Sequence, residues 1–435
     1  MRTLIRFALV MFVLGCTDAA SVTLPAAATP PVVRGGASDT TLTVTVARGV
    51  TGNVAVDFAT CAADDRPIWF AHQDGDGAWT PILDSAGVYR FDVTADRGGY
   101  AFVAAKSGGA IVQLATRAEL TRAAHVRCAP TPTGLKSISG TLAPSPVGTS
   151  DVVYVGLGGP NPGREGWGPI ETNPFTLTGI AAGGRDLIAY RSDPSGFGPT
   201  ERALIRRDQD LPDRGSLGTI DFTGADAFAP ATAALTITGV RPFDQVGHGM
   251  SYRTGAACAL YDLYDQLQSS AAVTMRGIPA ARQRETDFHQ VGVSGVEGTF
   301  ARYAYESFHT LTDRVVALPA ALPTITATAP AGGHKRIQVA FTLPPEYRNG
   351  VVELWMGGGR GYTIVTASSA WLGGPSVTLA VPDLARVTGW RSAFLPPPDS
   401  TVWWGLHATG ANEAASGGPC AEHARSVSAL VNGRR

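Results

Sequence analysis

The residue types best suited to chemistry in this chain are two carboxylates and two imidazoles, Asp287, His289, His309 and Asp313, close together in sequence. An imidazole titrates near neutrality and a carboxylate beside it can orient it or share a metal ion, so the set suits proton transfer or metal binding. The same residues at strand ends commonly just meet solvent. A second set is Asp74-Gly75-Asp76-Gly77, whose carboxylates could hold Ca²⁺ together with loop carbonyls. An EF-hand needs further ligands and a closing Glu, which do not follow, and a tight turn favours Asp and Gly by itself. No metal and no cofactor are therefore assigned. There is no HExxH and no P-loop, and Gly292-Val293-Ser294-Gly295 lacks the spacing of a GxSxG elbow. Catalytic groups can still meet from distant loops, so the missing motifs weaken an enzyme claim without ending it.

The third set is aromatic. Trp355, Trp371, Trp390, Trp403 and Trp404 place five of the eight tryptophans in the last hundred residues. Aromatic faces stack on sugar rings and anchor peptides, and they also fill sandwich cores. Trp403 and Trp404 are adjacent, so on one strand they point to opposite faces and one ring reaches the outside. With Trp167, in the Gly/Pro-rich loop 156–168, they are the candidate ligand-facing rings, for a protein or a polysaccharide. The glycines of that loop are too irregular for a dinucleotide or phosphate cradle.

These groups must be positioned by a chain of 435 residues, too long for one hydrophobic core. Hydrophobic residues make up 44% and charged ones 16%, which is globular. With 52 Gly and 30 Pro, turns are many and long helices few. Net charge is −1, with Lys and Arg dispersed among Asp and Glu, and nucleic-acid binding, which needs a basic stripe, is rejected.

Alternation at a period of two recurs along most of the chain, the pattern of strands with one buried face. It starts with Thr41 to Val46 and with Val54, Val56 and Phe58. Ile68 to Gln73, the Asp74–Gly77 turn and Ala78 to Ile82 read as a hairpin. Tyr89, Phe91 and Val93 face inward, Asp96 to Gly99 turns the chain into Tyr100 to Ala104, and Thr116 with Glu119 forms a capping box. Leu235 to Thr238, Val291 to Val296, Arg302 to Phe308 and Arg314 to Leu318 read as strands. Ala257, Leu260, Tyr261, Tyr264 and Leu267 fit either a helical face or a strand. Pro319 to Pro330 separates two sandwiches. The cleanest alternation follows: Ile337, Val339, Phe341 and Leu343; Val352, Leu354 and Met356; Tyr362, Ile364 and Thr366; Val377, Leu379 and Val381.

The start of the chain has a different character. Arg2 and Arg6 precede the apolar run Phe7 to Leu14, far short of the ~20 residues a permanent spanning helix needs, and no later run approaches that length. Val13-Leu14-Gly15-Cys16 resembles the lipobox of bacterial lipoproteins. That resemblance implies cleavage before Cys16, acylation of its sulfur and of the new N-terminus, and firm membrane attachment by two or more acyl chains. Thr17, rather than Asp, follows the cysteine, which in that family points to the outer membrane. An ordinary secretory cut near Ala26-Ala27-Ala28 is the alternative, but it lies far from the apolar run. Thr17 to Ser38, rich in Ala, Pro and Thr, reads as a tether.

With Cys16 set aside, Cys61, Cys128, Cys258 and Cys420 remain, an even number in an exported chain, and disulfides are expected. Of three pairings, Cys61 with Cys128 and Cys258 with Cys420 keep each bridge within one half, each contributing about 4 to 5 kcal/mol by loop closure. Two buried free thiols, or a single bridge, are the alternatives.

Lys136 to Leu142, Val152 to Leu157, Phe175-Thr176-Leu177-Thr178-Gly179-Ile180, Gly183-Gly184 and Asp186 to Arg191 follow in an order that resembles the carboxypeptidase regulatory-like or transthyretin-like β-sandwich. About sixty residues carry the likeness, and the long Gly158 to Thr172 loop departs from it. It implies an accessory domain without catalysis.

The chain therefore reads as all-β: signal peptide 1–16, tether 17–38, then tandem immunoglobulin-like or transthyretin-like sandwiches at 39–128, 134–224, 231–320 and 331–435. The expected function is a membrane-anchored, non-enzymatic binding or structural module of the cell envelope. The alternative is a carbohydrate-active or peptide-processing hydrolase with an unrecognised site.

Overall fold

The computed structural model describes residues 52–83, 86–106, 109–122, 125–128, 134–145, 152–158, 172–192, 200–255, 259–263, 271–332, 334–358, 361–413, 415 and 420–435. Cys16, the tether, the Thr41 to Val46 pattern, Trp167 and Cys258 lie outside them. The described chain is nearly all β, in several sheets, and divides into two compact units. Among the described residues no helix is long and apolar enough to cross a membrane.

Unit 1 comprises the chain up to Pro130 together with Leu384–Phe394. Its strands are β1 (Val54–Asp57), β2 (Pro67–Asp74), β3 (Thr80–Pro81), β4 (Val88–Phe91), β5 (Arg97–Ala104), β6 (Ala110–Thr116) and β7 (His125–Val126). β1 lies between β4 and β7, and β3, β2, β5 and β6 pair in that order. The alternating residues Val54, Val56, Tyr89, Phe91 and Val93 are all buried, and Phe70 stacks on Tyr89 at 4.1 Å. Gly75, at φ 58°, makes the hairpin turn that the Asp/Gly run predicts. Asp96 to Gly99 is not a turn: β5 begins at Arg97, and Gly98 and Gly99 pair with Asp74 and Gln73. Glycine serves there to admit a neighbouring strand, since a Cβ at Gly98 would meet the Gln73 carbonyl at 2.6 Å. Thr116 and Glu119 close the capping box of α1 (Arg117–Thr121), and Cys61 is bonded to Cys128. Leu384–Phe394 joins this unit through Trp69, whose indole donates to the Thr388 carbonyl at 3.1 Å and meets Trp390 edge to face at 4.8 Å.

Unit 2 holds the rest of the described chain. β8 (Lys136–Ala143), β9 (Val152–Leu157), β10 (Phe175–Ile180), β11 (Arg185–Ser192), β12 (Thr200–Gln209) and β13 (Ser216–Asp221) form two sheets, β10-β8-β13 and β12-β11-β9. Both contribute to one core, including Ile138, Val155, Phe175, Leu187, Leu204 and Ile220.

Next come β14 (Ala231–Thr238), β15 (Gln245–Thr254), β16 (Ala259–Leu263), β17 (Ala272–Gly277), β18 (Phe288–Glu297), β19 (Phe300–Phe308) and β20 (Arg314–Ala317). The last group is β21 (Thr326–Thr328), β22 (Gln338–Thr342), β23 (Val351–Gly358), β24 (Gly361–Ser368), the short α2 (Ser369–Leu372), β25 (Ser376–Ala380), β26 (Trp403–Ala411) and β27 (Arg425–Arg434). β17-β14-β20 and β21-β22-β25 are small sheets. The others join through the β19–β27 pair into one sheet that runs β16-β15-β18-β19-β27-β26-β23-β24.

One open question is decided here and two sequence expectations change. Residues 259–263 form a strand, which decides the helix-or-strand question for that stretch. Thr326–Thr328, inside the proline-threonine segment, is an edge strand paired with β22. On β24 the alternation has the opposite phase: Thr363, Val365 and Ala367 are buried, while Tyr362, Ile364 and Thr366 lie on the other face. Hydrophobicity misleads on β24 because both of its faces carry apolar residues.

Candidate functional site

The structure brings Asp287, His289 and His309 together and leaves Asp313 apart. Asp287, fully buried at the start of β18, is met by Arg207 of β12 at 2.6 Å, by the Tyr252 hydroxyl at 2.8 Å and by the Arg284 backbone N–H at 2.8 Å. Arg207 also donates to Asp186 at 2.8 Å and to the Arg282 carbonyl at 2.9 Å. Burial works against the charge on Arg207, but its bonds to Asp287 and Asp186 outweigh that and hold the guanidinium charged. Burial, reinforced by the neighbouring Asp287 carboxylate, pushes the Tyr252 phenol up and keeps it a donor.

His289 is equally enclosed. Its Nδ1–H donates to the His309 carbonyl at 3.0 Å and its Nε2 accepts from the Ile278 N–H at 3.0 Å, an arrangement for the neutral ring. Burial lowers its pKa to about 4. The His309 ring donates in turn to the Asp287 carbonyl at 2.7 Å. Gly277 is required beside this ring, because a Cβ there would sit 2.6 Å from His289 Nε2. Exposed Asp313 accepts from the Ala234 N–H at 2.7 Å. Outside the Arg284–Asp287 turn, the polar contacts of this constellation tie one strand or turn to another. It forms a joint between the β9–β12 sheet and the turn that enters β18.

The Asp74 and Asp76 carboxylates are likewise engaged. Asp74 accepts from Thr94 Oγ1 at 2.5 Å and from the Thr94 and Ala95 N–H groups, bonds that hold its carboxyl below the usual range, and Asp76 pairs with Arg97 at 2.6 Å. Among the described residues no group of three His, Cys, Asp or Glu side chains is placed to share a metal. Cys420 is disulfide-bonded.

The tryptophans separate by face. Trp403 is 46% exposed, whereas Trp404 is 7% exposed and packed over Gly433, so Trp404 is removed from the ligand-facing set. The cause is strand parity: Trp404 shares the inner face of β26 with Leu406 and Ala408. On the outer face Trp403 lies beside Trp355 of β23, ring centroids 4.9 Å apart at 63°. Each indole covers a cross-strand glycine, Trp355 over Gly405 and Trp403 over Gly357, and a Cβ at either glycine would overlap the ring. Tyr305 of β19 covers Gly292 of β18 on the same sheet in the same way. A glycine in a strand leaves a gap that a ring from the next strand fills, and both elements gain by it.

Between these rings, Glu353 stands directly across from His407. Both are half-buried; loss of water raises the Glu353 carboxyl and lowers His407 to about 4, each toward its uncharged form. Sequence reasoning named Trp355 without placing it on the outer face, and missed Glu353, His407 and Arg207. For the first three the signal was present: they alternate with the buried run Val352, Leu354, Met356 and with Trp404, Leu406, Ala408. Nothing local marks Arg207 as the partner of a residue eighty positions away.

No protein-family model matches this chain, and no curated protein does. Among solved structures it is similar to the chicken CNTN1 FN1–FN3 domains, at 8% identity and a TM-score of 0.15, over 59% of this chain and 82% of that one.

Proposed function

We propose that this chain is an exported bacterial lipoprotein, anchored through Cys16 to the outer membrane, whose sandwiches act as a non-enzymatic binding or structural module of the cell envelope. The observation that carries the non-enzymatic part is the state of the best catalytic candidates. Asp287 and His289 spend their hydrogen-bonding capacity on Arg207, on Tyr252, on the His309 carbonyl and on neighbouring N–H groups, and the His309 ring gives its Nδ1–H to the Asp287 carbonyl. A group acting as general base or metal ligand needs a lone pair aimed at substrate or ion, and those of Asp287 and His289 are aimed at protein. The lipobox sequence supports the anchor, and the strand order of 136–221 supports an accessory sandwich of the carboxypeptidase regulatory-like kind.

The test compares wild type with Cys16→Ala for uptake of labelled fatty acid and for fractionation. Label and membrane association in the wild type, both lost in the variant, are expected. A variant that still fractionates with membranes, beside an unlabelled wild type, overturns the anchor.

A further inference from the structure

The segment Leu384–Phe394 leaves unit 2 after Asp383, belongs to unit 1, and returns to unit 2 at Leu395. Its two ends are buried, while Arg386, Thr388, Gly389 and Arg391 between them are exposed. It contains no strand, and its backbone folds on itself in three turns: the N–H groups of Val387, Trp390 and Phe394 donate to the carbonyls of Leu384, Val387 and Arg391, each at 3.0 Å. What seats it on unit 1 is Trp69. On β2, Phe70 points into the core of that unit, so its neighbour Trp69 points away from it. The Trp69 indole N–H holds the Thr388 carbonyl, its ring meets Trp390, and Trp390 in turn meets Phe394 edge to face at 5.2 Å. Gly389 serves this seat twice, since its φ is 81° and a Cβ there would stand 3.3 Å from Trp69 Cδ1.

The seat carries one misfit. The Trp390 indole N–H is buried there with no acceptor among the described residues. A buried donor left unsatisfied weighs against the state that buries it by about fivefold or more, and the same N–H meets water once the segment lifts. The two indoles are therefore opposed: the Trp69 N–H holds the segment down and the Trp390 N–H favours its release. Local turns, an exposed middle and an aromatic anchor with that misfit are the features of an element that opens without the rest of the fold. We propose that Leu384–Phe394 is a releasable strap, closed when Trp390 sits on Trp69 and open when the segment lifts off unit 1 while the sheets stay folded. Opening uncovers the Trp69 indole and frees Arg386 and Arg391 on a pliable chain, the form in which a protease takes a backbone into its cleft. This device depends neither on the Cys16 anchor nor on what the module binds.

The experiment treats detergent-solubilised full-length protein with trace trypsin under native conditions and follows cuts after Arg386 and Arg391 by mass spectrometry. Wild type should be cut at these sites while its circular dichroism still shows the folded sheets. Benzothienylalanine, which keeps the outline of tryptophan and lacks the N–H, is then placed at position 390 or at position 69. At 390 it removes the unsatisfied donor and should slow cutting by about fivefold or more. At 69 it removes the bond to Thr388 and should speed cutting by about two- to tenfold. Gly389→Ala, made with an ordinary residue, should speed it as well. Calorimetry of each variant should find the unfolding transitions where they stand in wild type. Cutting no faster than global unfolding, an unchanged rate at 390, a shift in the same direction at 69 and 390, or rates that merely follow displaced unfolding transitions overturns the strap.

Discussion

Replacing Arg207 by Met removes the cation shared by Asp287 and Asp186, which are 0% and 7% exposed. Breaking a buried ion pair by deleting one partner costs about 3–5 kcal/mol, because the surviving charge is left without compensation. Asp287 keeps the Tyr252 hydroxyl and the Arg284 N–H, and Asp186 keeps the Asp208 N–H, so the lower end, about 3 kcal/mol, applies. For a body of this size each kcal/mol moves the midpoint by about 2–4 °C, giving a fall of about 6–12 °C in the unfolding transition of unit 2. Differential scanning calorimetry of wild type and Arg207→Met measures it. Arg284→Met is the control: its partner Asp208 is exposed, and such a pair contributes no more than about 1 kcal/mol. Adding Asp287→Asn to Arg207→Met should recover part of the loss, since it removes an orphaned charge. A fall below about 2 °C, or an equal fall in Arg284→Met, would refute the reasoning that this joint is a buried ionic one.

Other consequences follow from single sites. His289, with its folded pKa near 4, binds its proton more readily in the unfolded chain. Its contribution is therefore complete above about pH 6.5 and is lost as pH falls toward 4, about 3 kcal/mol in all. Urea midpoints from pH 7 to 4.5 should decline in wild type and less steeply in His289→Asn; parallel declines would contradict it. Replacing Cys61 and Cys128 by Ala, which opens a loop of sequence separation 67, should lower the stability of unit 1 by about 4 kcal/mol and leave the transition of unit 2 in place. Gly405→Ala should cost about 1–3 kcal/mol and red-shift tryptophan emission as Trp355 is driven off the sheet; unchanged emission would show that the ring does not depend on that glycine.

Much of the fold was legible because strand alternation is a local signal. Val54/Val56, Ile337 to Leu343 and Val352 to Met356 each carry their burial in their own spacing. The capping box at Thr116 and the Gly75 turn are local for the same reason. What escaped depends on contacts between distant positions. Leu384–Phe394 belongs with unit 1 through Trp69, 319 residues earlier, and no pattern within that segment announces it. The β19–β27 pair is equally silent in sequence, since any two half-buried strands are compatible edges until the register is known. At the candidate face, adjacency of Trp403 and Trp404 foretold opposite orientations but not which ring is outside. That depends on Leu406 and Ala408 setting the inner phase of β26. Asp287 and His289 drew notice by residue type, yet their roles follow from Arg207 and the Ile278 N–H, which only the fold brings near.

The most direct measurement places a photo-crosslinking residue, p-benzoylphenylalanine, at position 403 in living cells, with position 315, which is more exposed, as an apolar control. A binding module whose ligand meets the exposed Trp403 ring predicts an adduct from 403 and none from 315. An adduct from 315 with none from 403 would contradict it.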